Sequence, residues 1–167
     1  MTTPQWIKRL AGHAGELYVA AELSKRGILN ALLPDNFPDN DILLGEKDGI
    51  NIGYIQVKAC HPDRSFTFRL SSKNERWENA ADNEYVIFVW LGSSKKNSSP
   101  SYWIAKKREI GTFCKEHRPE NPKNKERRFA PDLESNVCTN DWPVRLKEEW
   151  HNNWSMFLKY AKDPSLI

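Results

Sequence analysis

The stretch Asp41-Ile42-Leu43-Leu44-Gly45-Glu46-Lys47-Asp48-Gly49-Ile50-Asn51-Ile52-Gly53-Tyr54-Ile55-Gln56-Val57-Lys58 reads as two strands joined by a tight turn. Asp-Gly is a preferred dipeptide of two-residue hairpins, whose central positions take positive φ. Such a turn pairs Lys47 with Ile50. Counting outward sets Leu43 opposite Tyr54, Asp41 opposite Gln56 and Asp39 opposite Lys58. Directly opposed residues share a sheet face, so Asp39, Asp41, Gln56 and Lys58 are expected to face the same way. Ile42, Leu44, Ile55 and Val57 then form an apolar back that packs on a helix. A bulge at Gly45 or Gly53 would slip the register by one and turn Asp41 away from Gln56.

Upstream, Thr3-Pro4 supplies an N-cap and a proline for the first helical position. Ile7, Leu10, Ala14, Leu17 and Ala21 then recur at helical spacing up to Gly27, which predicts a long first helix. Gly12 and Gly15 leave its backbone open to close approach. A proline-punctuated link from Leu33 to Asn40 leads to Asp41. Downstream, Phe66–Leu70 alternates as a strand, and the polar segment Ser72–Glu84 has room for a short helix. Tyr85–Leu91 is an apolar run suited to a strand buried on both faces. Gly92–Ser101 is an exposed turn before a strand at Tyr102–Ala105. The charged, Asn- and Pro-rich stretch 117–140 reads as a functional or mobile loop. After Pro143, Leu146, Trp150, Trp154, Phe157, Leu158 and Ala161 suggest a last helix over about 143–162, its aromatic stripe serving as core or subunit contact.

The 167 residues, 39% hydrophobic with seven Trp and seven Phe, suffice for a single domain (1–167, core about 4–110). The sequence shows neither an apolar run of about 18 residues nor a signal-peptide pattern, so a cytoplasmic protein without a membrane role is expected. Three cysteines without a CxxC pair fit ordinary thiols in a reducing compartment. Cys114, His117, Cys138 and His151 fall short of the paired spacings of a zinc site. A net charge of +3 excludes a polycation that coats nucleic acid by composition alone. The positive charge is local, at Lys95-Lys96, Lys106-Lys107-Arg108 and Lys115–Arg128, and each cluster reads by default as a solvated surface.

An acidic residue on one strand and a polar-x-Lys on the next can serve phosphodiester hydrolysis. That chemistry needs an activated water, a cation to offset transition-state charge and a proton donor for the leaving oxygen; a divalent ion supplies the first two. Magnesium takes oxygen ligands, one or two of them carboxylates. Asp41 offers a carboxylate, Gln56 a neutral side-chain oxygen and Val57 its carbonyl. Lys58, roughly 6 to 7 Å along the strand from Gln56, can hold the attacking water. Gln56 adds no charge, so a further carboxylate is wanted: Glu16 in the first helix is one candidate and Asp39 the other.

Gly15-Glu16-Leu17 in an opening helix, Asn40-Asp41-Ile42-Leu43 on a strand and Ile55-Gln56-Val57-Lys58 on its neighbour resemble the PD-(D/E)xK nuclease superfamily. The likeness is to the variant with Gln as second acidic position, found in Mrr-type restriction enzymes and one class of homing endonuclease. The helix glutamate is similar to that of archaeal Holliday junction resolvases. The resemblance covers about residues 10–91. It implies an α/β fold, a central mixed β-sheet flanked by helices in a restriction endonuclease-like core, here followed by the C-terminal helix. It further implies Mg²⁺- or Mn²⁺-dependent cleavage of DNA. By motif match Asp41 is the metal-binding aspartate, Gln56 the second ligand, Lys58 the catalytic lysine and Glu16 the helix glutamate. The chain departs from the common pattern at Gln56, where Glu or Asp is usual.

The leading expectation is a DNA endonuclease of restriction, resolvase or homing type, acting on double-stranded or branched DNA as a homodimer. DNA contacts would come from the polar segment 71–83, with Lys73 and Arg76, and from the basic loop 115–128, with Lys123, Lys125, Arg127 and Arg128. Two alternatives stand beside it: a catalytically inactive nuclease-fold module that binds nucleic acid or a protein, and an assembly protein that dimerises through its last helix.

Overall fold

The computed structural model describes residues 4–46, 52–61, 67–93, 95, 97–116, 126–130 and 143–167. Thr3, the Asp48-Gly49 turn, His117, Lys123, Lys125 and Cys138 lie outside the described residues. The chain opens with α1 (Gln5–Lys25) and continues through β1 (Leu29–Leu32), β2 (Ile42–Gly45) and β3 (Ile52–Cys60). Next come β4 (Phe68–Ser71), a 3-10 segment (Ser72–Asn79), β5 (Glu84–Trp90), β6 (Ser101–Lys106) and α2 (Lys107–Glu116). Then follow β7 (Glu126–Ala130), β8 (Pro143–Arg145) and three 3-10 turns, Glu148–Trp150, Trp154–Tyr160 and Pro164–Leu166.

β2 and β3 pair antiparallel with Ile42 opposite Ile55, Leu43 opposite Tyr54 and Gly45 opposite Ile52. This is the register predicted by counting outward from Asp48-Gly49. β3 lies parallel to β5, while the β1–β2 and β5–β6 pairs are antiparallel, giving a five-stranded mixed sheet in the order β1-β2-β3-β5-β6. The molecule is therefore α/β, as expected. A second, three-stranded sheet takes the order β4-β7-β8.

Side-chain alternation divides the core between the two faces of the large sheet. Ile42, Leu44, Ile55, Val57, Tyr85, Ile87, Val89 and Ile104 pack on one face with Ala11, Val19 and Leu23 of α1 and the C-terminal Trp154, Phe157 and Tyr160. Val86, Phe88, Trp103 and Ala105 pack on the other with Phe68, Trp77, Ile110, Cys114, Leu146 and Trp150. β5 is thus buried on both faces, as its unbroken apolar run requires.

Three expectations need correction. The buried residues of α1 are Ala11, Gly15, Val19 and Leu23. Leu10 and Leu17, on the stripe read from the spacing, are 60% and 47% exposed. The helix is apolar on two sides, and the sheet accepts the side with small residues, because close packing there needs Gly15: a Cβ on it would stand 2.4 Å from the Cβ of Ala59. Secondly, the single helix over 143–162 is absent. Asn152, at φ 50, breaks the chain into separate 3-10 turns, since a left-handed residue cannot sit inside a right-handed helix. Trp150 goes to one face of the sheet and Trp154 to the other. Trp154, Phe157 and Tyr160, three apart, share one side of a helix with three residues per turn. Thirdly, the stretch expected as one loop over 117–140 contains β7.

Candidate active site

The site grows from an interruption in the sheet. β2 begins at Ile42, so β3 has a ladder partner on that side only up to Ile55, whose carbonyl accepts from the Asp41 N–H at 2.8 Å. A strand residue directs its N–H and C=O to the same side. Val57 therefore turns both groups toward the place that an extended β2 would fill. The Asp41 side chain occupies it: Oδ2 accepts from the Val57 N–H at 2.6 Å and from Nε2 of Gln56. The register of β2 on β3 is what brings Asp41 beside Gln56.

α1 crosses this part of β3 at Gly15, against Ala59 and Val57, and the next residue, Glu16, reaches the neighbourhood of Asp41. Both carboxyls lie above the usual carboxylate range. For Glu16 the cause is burial first and the Asp41 charge second, offset by His13, whose Nδ1 is 3.8 Å from Oε2. For Asp41 burial dominates, against the opposing help of the Val57 N–H, Lys58 and Gln56. Lys58 shares its sheet face with Gln56, and its ammonium lies below the usual lysine range. Burial is the main reason, countered by Asp41 and Asp39 and reinforced by the like charge of Lys107.

Asp39 does not sit opposite Lys58 in a ladder, because β2 stops at Ile42. It takes a positive φ of 59° and its carboxylate pairs with Arg76 of the 3-10 segment. Of the two rival carboxylates, Glu16 is the one beside Asp41. Lys73 is exposed on the same 3-10 segment. Arg127 and Arg128 lie on β7, in register with Leu70 and Arg69 of β4, which runs directly into that segment. The sheet β4-β7-β8 thus joins the two stretches expected to contact DNA.

Lys107 is the residue that sequence reasoning missed. Placed in a cluster read as a solvated surface, it is 1% exposed. Its Nζ donates to the Asp39 carbonyl at 2.8 Å, to Asn40 Oδ1 at 3.0 Å and to Glu84 Oε2 at 3.1 Å. It also stands 5.3 Å from the centre of the Trp77 ring. A buried ammonium needs such partners, and here they fix the turn that delivers Asp41. Its partners Asp39 and Asn40 are distant in sequence, so no local pattern announces it.

Among the described residues no three His, Cys, Asp or Glu side chains form a ready-made metal cluster. The anionic donors are the two carboxylates Glu16 and Asp41, the number magnesium commonly takes from a protein, with Gln56 Oε1 and the Val57 carbonyl as neutral oxygens. A divalent cation would relieve the cost of ionising two half-buried carboxyls side by side. The donor set fits a hard cation.

Comparison of the chain with family models, with curated proteins and with solved structures finds no match. Among the described residues no helix is long and apolar enough to cross a membrane.

Proposed function

We propose that the chain is a Mg²⁺- or Mn²⁺-dependent DNA endonuclease with a restriction endonuclease-like core. One observation carries this reading: Asp41, ahead of β2 at the open side of β3, is hydrogen-bonded to Gln56 and lies within electrostatic reach both of Glu16 of α1 and of the half-buried Lys58. Glu16, Asp41, Gln56 and the Val57 carbonyl would hold the ion, which when bound supplies an activated water and offsets charge on the phosphorus centre. Lys58 Nζ donates a hydrogen bond to the attacking water or to a phosphoryl oxygen, supporting charge as it develops. Arg76, 61% exposed at the rim, and Lys73 take flanking phosphates, contacts that position the backbone without reading sequence.

The Gln56–Asp41 hydrogen bond supports a second reading, a nucleic-acid-binding module without catalysis, because Asp41 Oδ2 already accepts from two donors. One set of measurements separates the two. Plasmid and branched DNA are incubated with Mg²⁺ or Mn²⁺, and Mn²⁺ binding is followed by calorimetry. The nuclease reading expects cleavage that falls at least 100-fold in Lys58→Ala and Mn²⁺ binding lost in Asp41→Asn. Equal residual cleavage by wild type and Lys58→Ala sinks it. Salt-sensitive DNA binding without Mn²⁺ uptake establishes the binding module instead.

A further inference from the structure

The outward side of α1 carries Trp6, Leu10 and Leu17, 63%, 60% and 47% exposed, together with the exposed Ala21. At about 100° per residue these fall on one stripe, directly opposite the stripe Ala11, Gly15, Val19 and Leu23 that faces the sheet. No charged residue lies on the outward stripe. His13, exposed, stands at its middle, and the neighbouring Ala14 is half-buried and packs on the core. A surface helix normally turns charge to water on that side, and contiguous exposed apolar residues mark an interaction surface.

We infer that this stripe is the seam of a homodimer in which α1 packs antiparallel on α1 of a second copy. The sequence of the stripe is self-complementary about a twofold axis between His13 and Ala14. Leu10 then meets Leu17 of the second copy, and the large Trp6 meets the small Ala21. Such an axis keeps each flank of the stripe on its own side of the dimer. Parallel packing would instead set Trp6 against Trp6. An isologous contact of this kind closes on itself as a dimer. The seam is confined to one helix, about 31 Å long, and is expected to give a weak, concentration-dependent association. Both candidate sites then open on the same side of the dimer, because Glu16 is on the shared flank.

The inference stands whether or not the chain cuts DNA, and its test reads mass and cross-linking alone. Sedimentation velocity is run on the full chain between about 1 and 200 µM, with Leu10→Glu and Leu17→Glu as variants. Both substitutions are at exposed positions, and circular dichroism checks that each is folded. Wild type is expected to shift from monomer to dimer across this range, and each variant to weaken association at least tenfold. His13→Cys, beside the axis, is expected to form a disulfide-linked dimer under oxidised glutathione, whereas Trp6→Cys is not. Monomeric wild type at all concentrations, dimers that survive both glutamates, or cross-linking through Trp6→Cys in place of His13→Cys would each overturn it. So would monomers that bind phosphatidylcholine vesicles through Leu10, which would make the stripe a lipid-facing surface.

Discussion

Gly12 and Gly15 occupy the same helix three residues apart, and alanine at the two positions should act with opposite sign. A Cβ at Gly12 meets nothing within 4 Å. Gly12→Ala therefore gains only the helix propensity difference, about 0.8–1 kcal/mol of stability. A Cβ at Gly15 would stand 2.4 Å from Ala59 Cβ and 3.4 Å from Val57 Cγ1. Apolar carbons rest about 3.5–4.0 Å apart, so α1 must withdraw from β3 by roughly 1 Å at this point. Overpacking of this kind costs about 1–3 kcal/mol. Set against the same propensity gain, Gly15→Ala should leave the protein up to about 2 kcal/mol less stable. Urea unfolding gives both values. Ala59→Gly, which removes the opposing methyl, should restore Gly15→Ala in part, with a coupling of at least about 0.5 kcal/mol. The withdrawal also carries Glu16 away from Asp41, so under the proposed metal-dependent reading Mn²⁺ uptake should weaken in Gly15→Ala and remain unchanged in Gly12→Ala. If Gly15→Ala stabilises the fold as much as Gly12→Ala does, α1 does not contact β3 at that glycine and the placement of Glu16 is wrong.

Glu16 and Asp41 both hold their protons more tightly in the folded chain than unfolded carboxyls do. Stability from a raised carboxyl is fully present below the unfolded pKa of about 4 and is lost as pH rises through the folded value. In EDTA, Glu16→Gln and Asp41→Asn should therefore be more stable than wild type at pH 7, with the gap closing below about pH 4; an unchanged gap across this range would refute the shared burial of the two groups. Lys107→Met should cost about 2–4 kcal/mol in urea unfolding, somewhat under a fully enclosed ion pair, because Glu84 is 25% exposed. Adding Glu84→Gln should recover part of that loss, and a cost below about 0.5 kcal/mol would contradict the bonding of Lys107.

The pairing of the strands that frame the site was legible because Asp48-Gly49, read as a two-residue turn, predicts it by arithmetic, and Leu43 opposite Tyr54 matches that count. β5 was legible from its run of apolar residues. The orientation of α1 was not, since periodicity reports an apolar face without saying whether sheet or solvent meets it, and this helix has two such faces. The aromatic spacing after Pro143 was ambiguous for a related reason. Trp154, Phe157 and Tyr160 satisfy a 3-10 turn, while Trp150 belongs to the opposite core. In the candidate site, the convergence of Asp41 with Gln56 followed from register, and Gly15 signalled the close approach that carries Glu16. Lys107 depends on the Asp39–Asn40 turn more than sixty residues earlier, which only the folded chain assembles.

The short β2 gives Asp41 two duties that different substitutions separate. Its carboxylate terminates the ladder by satisfying the Val57 N–H, work that a neutral amide oxygen can also do, and it contributes negative charge, which an amide cannot. Asp41→Asn thus removes charge and keeps the strand end closed, whereas Asp41→Ala leaves a main-chain donor without its acceptor, at a cost of about 1–3 kcal/mol if it stays dry. Loss of activity in the alanine variant alone would describe a frayed strand; loss in the asparagine variant would describe the chemistry.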